Sequence, residues 1–432
     1  MKPKLLILTA MFFAVNITYG QSINFRFNNY VYGWQRIDTL SNSSSAKTTH
    51  LRGYQNYLFD VNSGKWTFNA LAQTEEDIIN KVDKGFRYRF YNLYVKGSNL
   101  FDLLDLKLGR QNLFAGVGKG TLDGLHLKIK SGENKEYQLA VFGGIPAPSS
   151  YEFENFPKLK DNFHFGAQFI YYGVKDLMAG LSYSNKKQTP ESYSTIRLDS
   201  VFNPVTREIT LDGPSEQLAG LDINYTYLGK HNFYSKVYYD IELKKLYRAE
   251  INARVAIKDN LRAFAEYNYR EPHFTYNSIF WVFAYSKYQE LQGGLDYSFD
   301  NGIIAYGKVG TVLYENDNSV KVQAGFSNAN YGFSFIKYMG YAGESDGISG
   351  YYQNQIYEDI LSASASVSYS RYRLGDIYET DKVNSFSGML GVTYRPMPQL
   401  SVDAQGQLLI NRIYESDMRF LIGFNYWLFK KF

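Results

Sequence analysis

The sequence predicts an all-β chain, a single transmembrane antiparallel β-barrel with an even strand number of about 18–22. Three observations point there. Apolar and polar residues alternate with period two along segment after segment, which marks strands with two unlike faces. The amphipathic aromatic load is heavy, with Tyr 40 and Phe 31 in 432 residues, as expected where rings sit between oil and water. Finally, no segment after the first twenty residues offers the roughly 18 unbroken apolar residues that a membrane helix needs. A membrane chain without such helices must satisfy its backbone by closing a barrel.

In chain order, Lys2 and Lys4 precede the apolar run "LLILTAMFFAV", and Gly20 supplies a small residue at a cleavage point. That is the pattern of a secretory signal peptide, so residues 1–20 are expected to be a leader and 21–432 the barrel. Cys is absent, which removes disulfide frameworks, thiolate metal sites and a lipoprotein anchor. Strand pattern begins at once in "INFRFNNYVY", leaving no expected room for an N-terminal plug or a periplasmic domain. In "FRYRFYNLYVK", Phe86, Tyr88 and Phe90 oppose Arg87 and Arg89, then the alternation fails near Asn92. A bulge or an inward aromatic would explain the slip.

Later segments alternate more cleanly. In "AGLDINYTY", Ala219, Leu221, Ile223, Tyr225 and Tyr227 oppose Gly220, Asp222, Asn224 and Thr226. In "LYRAEINARVAI", Arg248, Glu250, Asn252 and Arg254 share one face; in "LSASASVSYS", Ser362, Ser364, Ser366, Ser368 and Ser370 do. Five serines on one face are not a protein core, so the polar faces read as water-lined and the apolar faces as lipid-facing. Short turns at 62–65, 228–231, 258–260, 300–302 and 395–399 alternate with long segments at 144–161, 188–215, 271–286 and 339–359. Short turns at one end and long loops at the other are the habit of outer-membrane barrels, with both termini on the periplasmic side. The strand count stays open because 345–360 is ambiguous.

The closing segment "MRFLIGFNYWLFKKF" resembles the C-terminal assembly signal of Gram-negative outer-membrane proteins, with Phe424, Tyr426, Leu428 and Phe432 at alternate positions and Lys430 where an aromatic is usual. The resemblance implies a closing strand read by the barrel-assembly machinery and a location in the outer membrane. "LGRQ" at Leu108 to Gln111, with "LDG" at Leu122 to Gly124, resembles the porin branch that includes alginate-export and related substrate-selective channels. Basic residues line the lumen in that branch, which implies a lumenal Arg110.

Candidate pore-lining residues follow from polar parity: Arg26, Arg87, Arg89, Arg248, Glu250, Arg254, Arg262, Glu266 and Arg270, together with Arg110 from the resemblance. Asp222, Asp240 and Asp296 share that parity. Charges in a narrow, low-dielectric-walled channel select which solute passes; mutual pairing that fills a small lumen is the competing reading. The expected function is a porin-like channel for small hydrophilic or anionic solutes, with oligosaccharides as one candidate class. Two rivals are a plugged barrel that assembles or binds surface polysaccharide, and a hydrolase with Ser or Asp beside His164 or His126.

Other chemistries are weakly signalled. The formal charge of +4 falls to +2 without the two leader lysines, too balanced for nucleic acid. "GVGKGT" lacks the first glycine of a phosphate loop, with Leu113 in its place, and a strand follows it; its glycines are expected to shape a loop. The five histidines show no metal-ligand spacing, so no metal, cofactor or catalytic residue is expected. "YENDNS" (314–319) reads as a solvated turn rather than a calcium loop. "HFTYNSIFWVFAYSK" (273–287) reads as a strand extension or rim loop, with an aromatic lid as the alternative.

Overall fold

The computed structural model describes residues 21–432 apart from 39–47, 83–84, 149, 154–157, 190–191, 199, 210–214, 273–286, 316–317, 341–343 and 374–381. The expected leader, most of the aromatic run at 273–287 and the centre of "YENDNS" therefore lie outside the described residues. The strands begin β1 (Gln21–Asp38), β2 (Thr49–Ser63), β3 (Trp66–Ile79), β4 (Arg87–Leu100), β5 (Leu104–Ala115), β6 (Gly118–Ser131), β7 (Tyr137–Pro146) and β8 (Asn162–Tyr171). They continue β9 (Leu177–Gln188), β10 (Tyr193–Leu198), β11 (Pro204–Ile209), β12 (Glu216–Tyr227), β13 (His231–Asp240), β14 (Lys245–Lys258), β15 (Leu261–Arg270) and β16 (Tyr288–Ser298). The last are β17 (Ile304–Leu313), β18 (Asn318–Ser327), β19 (Tyr331–Gly340), β20 (Ser345–Tyr357), β21 (Leu361–Tyr372), β22 (Val383–Met397), β23 (Leu400–Ile410) and β24 (Tyr414–Lys431).

Of these, 22 form one antiparallel sheet that closes on itself, each strand pairing its sequence neighbours, β9 pairing β12 and β1 pairing β24. β10 and β11 form a separate hairpin within the β9–β12 connection. Closure gives each strand of the sheet a neighbour on both sides, so the ladder groups find partners along the wall. The seam is long, with Ser22 opposite Lys431 and Gln35 opposite Met418. Phe432 N–H donates to the Gln21 carbonyl at 2.9 Å, and the Phe420 ring lies over Gly33, where any Cβ would collide with it.

Connections at the end that carries both termini are never longer than five residues, while the other end carries 147–161, 189–215, 271–287 and 373–382. One expected long segment, 339–359, is instead mostly strand: β20 occupies Ser345–Tyr357 and pairs β19 and β21. Its Gly, Ser and Gln content hid a strand because the inner face has no aliphatic residue and the outer face spaces Ile348, Tyr352 and Ile356 with Gly350 and Asn354. The slip near Asn92 is a register shift between β3 and β4 at Leu71/Ala72, and Tyr91 donates to Gln73 Oε1 at 2.9 Å. A bulge and an aromatic on the polar face thus occur together.

Register assigns the two faces. Leu221 pairs Leu181 and Val237, and this apolar face carries exposed Leu181, Ile251, Leu291, Val309, Leu390 and Phe424. The opposite face, which carries ion pairs such as Arg87–Glu75 and Arg36–Asp417 and the Asn252–Glu266 contact, points into the barrel.

Candidate functional site

Among the described residues the inner wall is interrupted by one device, the β5–β6 hairpin. Gly109 sits at φ +123°, a left-handed conformation suited to glycine, and pairs directly with Gly124, whose Cβ would collide with the Gly143 carbonyl. Beyond the Leu93–Arg110 pair, β5 no longer bonds to β4. The hairpin bends inward there and crosses to the far side of its own neighbours. At its tip Val117 N–H donates to Ser182 Oγ at 3.1 Å, and Tyr238 Oη donates to the Gly116 carbonyl at 3.4 Å. Val117 packs with Leu218 and Tyr238, and Leu113, Ala115 and Leu122 pack on Phe142. The "GVGKGT" glycines therefore do shape a loop, one that nests against the wall: a Cβ on Gly220 would lie 2.5 Å from Val117.

Departure of β5 opens a gap beside β4, and Arg110 seals it. Phe90 N–H donates to the Tyr151 carbonyl at 3.0 Å, so the β7–β8 connection takes over the vacated edge. Arg110 Nε and Nη2 grip both Asp123 oxygens at 2.7 Å. Its remaining donors meet the carbonyls of Tyr151 at 2.6 Å, Phe90 at 3.2 Å and Glu152 at 3.3 Å. The guanidinium also lies 4.1 Å from the Phe153 ring centroid. Five donors with five acceptors leave nothing for a solute, and the side chain is 0% exposed. The expectation of a lumenal Arg110 is thus corrected: its parity matches the outer face, opposite Leu93, and burial makes it a clamp.

The other candidates share the inward face, in two sectors. Near the loop end of β1 to β4, Arg87 and Arg89 bind Glu75 at 2.6 and 3.0 Å. The same sector holds Arg36 and Arg419 on Asp417 at 3.1 and 2.6 Å, and Arg52 on Asp77. Asp417, Asp77 and Glu75 are buried; sequence reading missed all three, though "TEEDII" has the parity to show two of them. Arg26 lies 5.3 Å from the Trp427 ring. On β13 to β16, Arg248 and Lys236 meet Glu250, the latter at 3.6 Å. Glu266 accepts from Asn252 at 2.8 Å and from Gln292. Arg254, Arg262 and Arg270 are exposed, with Arg262 opposite Asp296 and Arg270 opposite Arg248.

A third basic sector was not anticipated. Lys96 faces Lys107 directly across β4 and β5, and Lys107 faces His126 across β5 and β6. Lys128 faces Asp105, which binds Lys130 at 2.5 Å. Like charges directly opposite destabilise a sheet, and Asp105 is the one carboxylate paired within this group.

His164 and Ser184, the pair a hydrolase would need, do meet, at 2.9 Å. Both are buried, at 1% and 2% exposure, with Phe142 edge-on to the imidazole under the hairpin. Substrate has no route to that hydroxyl while the hairpin is seated. Among the described residues no three His, Cys, Asp or Glu side chains gather as a metal site.

No protein-family model matches the chain, and no curated protein matches it. Among solved structures it is similar to Pseudomonas aeruginosa OpdQ, at 10% identity over 94% of this chain and 98% of that one, TM-score 0.42. It is similar to Acinetobacter baumannii OccAB4, at 11% identity over 96% and 99%, TM-score 0.42. A third is the outer membrane protein opdK from Pseudomonas aeruginosa, at 8% identity over 95% and 99%, TM-score 0.43.

Proposed function

We propose that this chain is an outer-membrane channel, exported by its leader, that passes small hydrophilic solutes and favours anions. The observation that carries this reading is the lysine sector: Lys96, Lys107 and Lys128 on the inner wall, with His126 beside them and Asp105 already engaged by Lys130. A soluble core would not hold such a group, whereas water in a lumen solvates it and a passing anion relieves its repulsion. Arg254, Arg262 and Arg270 extend the same sign along β14 and β15.

Reversal potentials in planar bilayers under a potassium chloride gradient test this. Wild type is expected to favour chloride, and Lys96→Glu with Lys107→Glu to shift preference toward potassium. The pair Arg87 and Arg89 is unsuited to such a reversal, because both serve the buried Glu75 and glutamates there would crowd three carboxylates. Absence of any current from folded protein would instead favour the plugged binding barrel, a reading that the inward hairpin supports by covering one wall.

The closing strand is proposed to be the segment read by the assembly machinery. Phe424, Tyr426 and Leu428 present an exposed outer face, and Lys430 lies 4.7 Å from the Phe432 ring. Deleting Phe432 should reduce folded barrel in the membrane; unchanged insertion would remove the residue from that role.

A further inference from the structure

Between the charged sector of β13 to β16 and the one that spans β24 and β1 to β4, the inner wall changes character. The inward residues of β20 (Ser345 to Gln355), of β21 (Ser362 to Tyr372) and of β22 (Ser385 to Thr393) include no Asp, Glu, Lys or Arg. Near the end that carries the termini this wall holds a cavity of about 430 Å³, lined by the amides of Asn330, Gln353 and Gln355 and the hydroxyls of Ser362, Ser364 and Thr393. That volume falls within the roughly 300–1,000 Å³ of small-molecule sites. Gln353 donates from Nε2 to the Ala329 carbonyl at 2.8 Å, which fixes the amide. Ser362 and Ser364, by contrast, make no side-chain hydrogen bond among the described residues.

An aromatic platform adjoins the cavity. Tyr351 stands two residues before Gln353 on the same inward face, opposite Gly332 on β19 and Ser366 on β21. A Cβ on Gly332 would collide with the Tyr351 ring, so glycine lets the ring lie against the wall. The Tyr351 hydroxyl donates to the Asn328 carbonyl at 3.2 Å, which anchors its far end. The ring stays 42% exposed. The held ring face stands beside amides and the unbonded hydroxyls of Ser362 and Ser364, and the charges that touch the lining are carboxylates, Asp359 on the Gln355 amide and Asp403 on the Thr393 hydroxyl, each at 2.6 Å, an arrangement that matches an uncharged polyol and disfavours an anion. Ring C–H groups of a sugar pack on aromatic faces, and its hydroxyls both donate and accept, as serine and amide groups do.

We propose that this cavity is a binding site for neutral saccharides, a second solute track on the wall facing away from the lysines; it rests on the reading of the lumen as a solute path. Isothermal titration calorimetry on the full chain folded in detergent tests it, with maltotriose as the probe. Wild type should bind in the millimolar range typical of few-contact sites. Gln353→Ala should weaken binding about tenfold, Tyr351→Leu should do the same, and Tyr351→Phe should retain binding through its ring. Gln353 is exposed and cavity-facing, so its variant reports even where a Tyr351 change disturbs folding. Absence of heat in wild type, or undiminished wild-type affinity in both Gln353→Ala and Tyr351→Leu, would overturn the site. Calorimetry needs no current, so loss of the saccharide site and loss of conduction are separate results.

Discussion

Two walls of this barrel are built from the same residue type and end in opposite states. On β9, Ser182 and Ser184 are buried, one accepting from the hairpin tip and the other bonded to His164. On β21, Ser362 and Ser364 are only half-buried and make no side-chain bond among the described residues. Both pairs occupy inward positions on alternating strands. What separates them is the bent β5–β6 hairpin, which lies over β7 to β9, β12 and β13 and leaves β20 to β22 bare. Alternation therefore tells which way a side chain points, while a distant segment decides whether water reaches it.

The contrast can be broken most severely at the clamp. Arg110→Ala strands Asp123 in a buried seam and removes three carbonyl partners, so a loss of about 3–5 kcal/mol is expected. Urea unfolding followed by loss of heat-modifiable migration would measure it. A loss below about 1 kcal/mol would show that the seam is wetter than its burial implies. Gly220→Val acts at the other end of the hairpin and more gently. Its side chain would enter the space of Val117, Ser182 and Tyr238, at about 1–3 kcal/mol for overpacking. The tip should yield before the barrel does, so single-channel conductance is expected to rise with little change in the unfolding midpoint. Unchanged conductance would place the conducting path away from the tip.

Much of the barrel is legible in the sequence. Polar parity in "LYRAEINARVAI" and "AGLDINYTY" assigned the faces of β14 and β12, and the greasy terminus of β24 does close on β1. Three features were not legible, each for a physical reason. β20 lacks the bulky apolar alternation that marks a strand because its Ser, Gly and Gln wall faces the lumen. Arg110 sits where parity stops predicting environment, since β5 leaves the sheet beyond Gly109 and a loop covers the guanidinium. Buried Asp417, Asp77 and Glu75 bind arginines on neighbouring strands, one of them nearly a chain length away, so spacing along the sequence could not reveal their partners. The lysine sector lay within reach: Lys107, His126 and Lys128 alternate as polar residues in "LDLKLG" and "LHLKIK".

The central claim, that one inner wall is sealed by the hairpin and the other is open to water, has a direct test because the chain contains no cysteine. Ser184→Cys and Ser366→Cys each introduce a single thiol at an inward position, and a charged, membrane-impermeant methanethiosulfonate reagent reacts only where water carries it. In folded protein, Ser366→Cys should label rapidly and Ser184→Cys should stay protected until Arg110→Ala frees the hairpin. Equal labelling rates at the two positions in the otherwise native chain would contradict the account.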